Sequence, residues 1–285
     1  MRRPSRRYSS TSAAGYSVDQ RIRRFVRDFV PEYADRTGSR TAYRVPLVAI
    51  ASARDPLFET IVERQPGHLR PRELLHGAAS VVSYFIPFAP AVAKSNIAGD
   101  RCSREWVYAY TETNSLIEEL NRALETELAG LGIRCRGIMP THDFDRTTLT
   151  SRWSHRHAAY VAGLGTLGVH NLLITDLGCC GRLGSMIVGK EINPTKRPSS
   201  EHCLYYHNRS CLRCVDRCSF GALGLRDTDR VRSDVDGKQF FFDRYRCYEA
   251  CLENAAAYRD MDLADICGKC AVKVPCATAN PVHED

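Results

Sequence analysis

The chain is predicted to fold as a mixed α/β (α+β) domain with a cysteine-rich module behind it. Helical and strand patterns alternate through the first half, in the order helix, strand, helix, strand, helix, strand. Nine of the thirteen cysteines then fall between Cys203 and Cys276, about a quarter of the length. At 285 residues the chain can bury one sizeable core and still carry an appended module. The divisions expected are a disordered basic tail over 1–16, the α/β domain over 17–195 and the cysteine module over 196–285.

Each element has its own signal. Ser17, with Gln20 three residues on, marks a helix start, and Val18, Ile22, Phe25, Val26, Phe29 and Val30 follow at helical spacing. Pro31 is expected to bend or end that helix. Residues 43–51, with Val45, Leu47, Val48 and Ile50, read as a buried strand, and Leu57, Phe58, Ile61 and Val62 as an apolar helical pattern. The unbroken apolar run over 79–86, stopped by Pro87, suits an interior strand. A long amphipathic helix is expected over 104–131, its stripe running through Ile117, Leu120, Leu124, Leu128 and Leu131, closed by Gly130 and Gly132. Residues 133–139 read as a strand that leaves into a polar loop holding His142, Asp143 and Asp145.

Composition excludes several classes. Hydrophobic residues make up 44% and charged residues 26%, ordinary for a soluble globular chain. No apolar run approaches the roughly 20 residues of a membrane span, so no membrane partner is expected. The net charge of +7 is compatible with a nucleic-acid partner, but Lys and Arg are spread along the chain. Part of the excess sits in the first sixteen residues, where Arg2, Arg3, Arg6 and Arg7 stand among serines with no acid. That composition buries nothing and reads as a disordered tail rather than a transit peptide.

The cysteines form two runs, Cys203-x7-Cys211-x2-Cys214-x3-Cys218 and Cys247-x3-Cys251, then Cys267-x2-Cys270-x5-Cys276. A C-x2-C pair puts two thiolates on one tight turn, where both reach irons of one cubane. In ferredoxin-type runs three cysteines hold one cluster and the fourth holds the other. Two [4Fe-4S] clusters are therefore expected, one on Cys203, Cys211, Cys214 and Cys276, the other on Cys218, Cys247, Cys267 and Cys270, with Cys251 to spare. Such runs place proline after the fourth cysteine, whereas Ser219 follows Cys218. Zinc held by four thiolates is the competing use of such pairs, though zinc does not need the C-x2-C-x3-C triplet. No secretory signal accompanies the cysteines, so free thiols and a cytoplasmic setting are expected. Cys102 and Cys135 carry no spacing signal, and Cys179 and Cys180 read as plain thiols in a turn.

Gly163, Gly165 and Gly168 match G-x-G-x-x-G, but a dinucleotide site needs a strand before the glycines and a helix after them. Here Ala158, Ala159, Val161 and Ala162 end a helix, and Leu172, Leu173, Ile174 and Thr175 form the following strand. The glycines instead mark a turn where backbone passes close to a neighbour or ligand. The sequence Ala-Gly-Leu-Gly-Thr-Leu-Gly from Ala162, then His170-Asn171-Leu172-Leu173-Ile174, Gly178 and Gly184-Ser185-Met186-Ile187-Val188, resembles the signature segment of epoxyqueuosine reductases. Followed by two ferredoxin-type runs, it also resembles the catalytic portion of corrinoid reductive dehalogenases. The resemblance covers about residues 70 to 280.

That resemblance implies a nitroreductase-like domain that binds cobalamin, with a ferredoxin-like two-cluster module passing electrons to its cobalt. It also implies an oxidoreductase fed by an external flavodoxin- or ferredoxin-type donor, with a modified tRNA nucleoside as possible substrate. His170 and Asn171 would lie beside the corrinoid, with His157, Gly163, Gly165 and Gly168 in the same cofactor-binding segment. The family's proton-donating acid precedes the glycines. Its place here falls near Leu149, and the nearest acids, Asp143 and Asp145, are the candidates for catalysis. His155 and His157, two apart on a helix, face different ways. Two other readings stay open: a protein that stores or delivers a corrinoid without turnover, and a ferredoxin-like electron carrier.

Overall fold

The computed structural model describes residues 15–140, 144–224, 231–233 and 235–282. The first part of the chain runs through α1 (Val18–Thr37), β1 (Leu47–Ser52), α2 (Leu57–Arg64), α3 (Pro71–Leu74), β2 (Ser80–Pro87), α4 (Pro90–Ser95) and α5 (Arg104–Ala129). It continues with β3 (Cys135–Gly137), the ribbon β4 (Phe144–Asp145) and β5 (Thr150–Ser151), α6 (His155–Ala162), β6 (Thr166–Leu167), β7 (Leu173–Ile174) and β8 (Gly181–Val188). The cysteine-rich part adds α7 (Leu204–Asn208), α8 (Arg213–Asp216), β9 (Leu223–Gly224), β10 (Val231–Ser233), β11 (Gln239–Phe242) and α9 (Arg244–Ala257).

The central sheet has the order β1-β2-β8-β3 and is antiparallel throughout. Because side chains alternate across a strand, β2 serves both faces. Val82, Tyr84 and Ile86 pack with α1 and α5, through Ile22 and Val26 of the first helix and Leu116, Ile117, Leu120 and Leu124 of the second. Val81 and Phe85 face the other way, onto Ala158, Ala159, Val161 and Ala162 of α6. The sheet is thus covered on both faces, which is why all eight residues of β2 are buried and its sequence shows no alternation.

Four local expectations change. Helix α1 starts at the Ser17–Gln20 capping box but passes through Pro31 to Thr37 and closes on left-handed Gly38. Pro31 and Arg27 lie on its exposed face, so the lost hydrogen bond falls where water replaces it, while Tyr33 extends the buried stripe. Strand β1 begins at Leu47, because Pro46 has no N–H for the ladder, and Tyr43 makes only an isolated bridge to Phe88. Helix α5 ends at Ala129, leaving Leu131 exposed rather than in the stripe. The expected strand over 133–139 narrows to the three residues of β3.

The cysteine-rich part is fastened to the preceding part of the chain by backbone. Cys179 N–H donates to the Cys276 carbonyl at 2.9 Å, Cys180 N–H to the Ala277 carbonyl at 2.9 Å, and Asn280 N–H to the Asp176 carbonyl at 3.1 Å. His202 N–H donates to Thr166 Oγ1 at 2.8 Å, tying the start of this part to the β6–β7 hairpin. Among the described residues no helix is long and apolar enough to cross a membrane.

Candidate functional site

The nine clustered cysteines meet around two cavities. Cys203, Cys211, Cys214 and Cys276 line a small one together with His170. Cys218, Cys247, Cys267 and Cys270 line a second of about 400 Å³, and Cys251 and Cys179 share its wall. Local structure explains the grouping. Cys203 caps α7 and Cys214 lies in α8. Cys247 and Cys251 are one turn apart on α9, a helix started by Asp243, whose carboxylate accepts from the N–H groups of Tyr245 and Arg246. Between Cys267 and Cys270 the chain turns at Gly268, φ +70°, where a side chain would strike the Trp106 indole.

The donor set fits a thiolate-bound metal group. Burial pushes the thiols of Cys203, Cys214 and Cys270 up, Cys214 to about 12, so a cation is needed to draw off their protons. The hydrogen bond between Cys247 and Cys251 holds Cys247 down and Cys251 up. Two cations, the buried Lys269 and the half-buried Arg182, stand beside the second cavity. Lys269 Nζ donates to the carbonyls of Asn96 at 2.9 Å and Ala98 at 2.8 Å. Arg182 Nη2 donates to Asn114 Oδ1 at 2.7 Å and to the Pro140 carbonyl at 3.2 Å. These partners are neutral, while the carboxylates of Asp265, on the same wall, and of Asp100 attract Arg182 and Lys269 respectively. Trp106 Nε1 and Arg182 Nε, also buried on this wall, have no acceptor among the described residues.

The glycine segment shapes the space beside the cysteines. Gly163 ends α6 in the left-handed region, φ +88°. Gly165 lies against the Ile174 carbonyl, and a β-carbon on Gly168 would sit 2.6 Å from Cε1 of His170. His170 is buried, accepts from Leu172 N–H at Nδ1 (3.2 Å), and brings Nε2 to 3.4 Å from Cys276 Sγ. Asn171 is left-handed, φ +62°, and its Oδ1 accepts from Arg156 Nη1 at 2.5 Å.

A polar cavity of about 590 Å³ adjoins, lined by Arg64, Gln65, Arg156, His157 and Arg244, and it shares Asn171 and Phe242 with the 400 Å³ cavity. Arg156 can only donate, so His157 Nε2 accepts from it at 2.9 Å. His155 faces elsewhere: its Nε2 donates to the Met139 carbonyl at 2.7 Å, and Nδ1 lies 2.8 Å from Ser185 Oγ. Asp145 is exposed and accepts from Thr147 N–H at 2.9 Å and Thr148 N–H at 2.7 Å, bonds that hold it below the usual carboxylate range. Asp143 lies outside the described residues. Sequence reasoning missed Trp106 and Arg182, which carry no motif, and missed that Cys179 lies within 4.8 Å of His170 and Cys276.

No family model and no curated protein matches the chain. Solved structures do match. An epoxyqueuosine reductase from Bacillus subtilis superposes with a TM-score of 0.52 at 17% identity, over 92% of this chain and 68% of that one. The fold is shared with the epoxyqueuosine reductases. A second epoxyqueuosine reductase, solved with an epoxyqueuosine-modified tRNA-Tyr stem loop, gives the same TM-score of 0.52 at 17% identity, again over 92% and 68%. A reductive dehalogenase, described as informing B12-dependent dehalogenation, gives 0.52 at 16% identity over 79% of this chain and 29% of that one. The chain therefore spans about two thirds of the length of these epoxyqueuosine reductases and under a third of the dehalogenase.

Proposed function

We propose that the chain is an iron-sulfur oxidoreductase of the epoxyqueuosine reductase type, using two [4Fe-4S] clusters and cobalamin on a modified tRNA nucleoside. The observation that carries this reading is the gathering of the clustered cysteines around two cavities, four at the first and Cys218, Cys247, Cys251, Cys267 and Cys270 at the second. Cys203, Cys211, Cys214 and Cys276 would hold one cluster, and Cys218, Cys247, Cys267 and Cys270 the other. When bound, the clusters supply single electrons and the corrinoid supplies the reductant at the substrate.

The lining of the polar cavity suits the polar edge of a corrinoid. Arg64, Arg156 and Arg244 offer donors to amide and phosphate groups, and His157 Nε2 accepts from Arg156. His170 and Asn171 stand where the polar cavity approaches the cysteines, and Gly163, Gly165 and Gly168 let that segment fold tightly. Reduction of an epoxide with loss of its oxygen as water takes two electrons and two protons. Asp143 is the better proton donor of the two acids, because Asp145 is already committed as an ionised turn cap. The stem-loop complex of the similar reductase and the net charge of +7 support tRNA as the substrate carrier.

The test is turnover by the cluster-loaded chain with cobalamin, a low-potential reductant and an epoxyqueuosine-bearing stem loop, read by mass spectrometry of the nucleoside. Loss of one oxygen is expected. Cobalamin binding without turnover would leave a corrinoid carrier, and no cobalamin binding would leave an electron carrier.

A further inference from the structure

We infer that His170 is a positioning residue that donates a hydrogen bond from Nε2 to the Cys276 sulfur and so raises the reduction potential of the group Cys276 holds. This rests on the cluster reading above. The tautomer follows from the backbone. Leu172 N–H donates to Nδ1 at 3.2 Å, so Nδ1 carries a lone pair and the proton of a neutral ring is on Nε2. That nitrogen lies 3.4 Å from Cys276 Sγ, within hydrogen-bond range for sulfur.

Three features hold the ring there. Gly168 leaves the space that a β-carbon would take, 2.6 Å from His170 Cε1 and 2.9 Å from Nδ1. Cys179 Sγ closes another side, within 4.8 Å of both partners. Cys276 is itself fixed by the Cys179 N–H bond to its carbonyl. His170 is only 4% exposed, so water does not compete for the sulfur and the donor acts at low dielectric. A donor to a cluster thiolate favours the more negative, reduced state, one of the levers by which proteins set cluster potentials.

The experiment is a redox titration of the cluster-loaded chain followed by electron paramagnetic resonance, with iron counted in each sample, for the parent, His170→Ala and His170→Gln. His170→Ala is expected to move one of two midpoints to more negative potential, by about 59 mV for each tenfold lost in the one-electron equilibrium. The other midpoint stays in place, and His170→Gln, which keeps an N–H donor, recovers part of the shift. Unchanged midpoints at full iron content would overturn the inference while leaving the cluster reading intact. Loss of about four irons from both variants would make His170 a ligand and also overturn it. A parent chain without iron would instead defeat the cluster reading itself.

Discussion

Gly178 and Ala277 touch through backbone alone: a β-carbon on Gly178 would sit 2.6 Å from the Ala277 carbonyl oxygen. Gly178 is also left-handed, φ +82°, so any side chain there is strained twice over. This contact seats the segment that delivers Cys276. Gly178→Ala is expected to cost about 1–3 kcal/mol and to lower iron content toward half, measured by thermal unfolding and iron analysis.

Cys251 faces the same cavity as four assigned ligands but is the spare in the spacing. Cys251→Ala is expected to keep its iron. Cys247→Ala, one turn away, should lose about four irons per chain or yield a three-iron species. Iron analysis of the two variants side by side checks this, and the reverse result would exchange their roles.

His155 and His68 give the fold a predictable acid limit. Burial lowers both from 6.5 to about 4, so each stays neutral in the folded chain where the unfolded chain takes up a proton. The unfolded state therefore binds more protons between these values. Stability is expected to hold above about pH 6.5, to fall as pH drops toward 4 and to level off below. Unfolding midpoints across that range test the direction, and His155→Gln, lacking one titrating ring, should show a shallower fall.

Asp143 and Asp145 separate by role. Asp143→Asn is expected to abolish most turnover while cobalamin binding persists, a loss of about 100-fold or more if it is the proton donor. Asp145→Asn should leave turnover nearly unchanged, since its carboxylate serves Thr147 and Thr148. Single-turnover rates with and without each substitution check the pair.

Local chemistry made much of the fold readable. Ser17 and Gln20 announced α1, the apolar run announced β2, and the cysteine spacing announced two groups of thiols. Strand β8 was harder to see, because Gly181 and Gly184 lower its β propensity while making room for Phe85 and Tyr84 across the ladder. Pro31 misled because its solvent-facing position makes the missing hydrogen bond cheap. At the site, Cys179 meets Cys276 through backbone pairing between distant segments, which no short motif encodes. Arg182 and Trp106 belong to the cavity through packing alone.

The central claim is that these cysteines hold two iron-sulfur clusters. Its most direct test is iron, zinc and acid-labile sulfide per chain after anaerobic purification. About eight irons with about eight sulfides are predicted. Zinc without sulfide, or a chain free of metal under those conditions, would contradict the account.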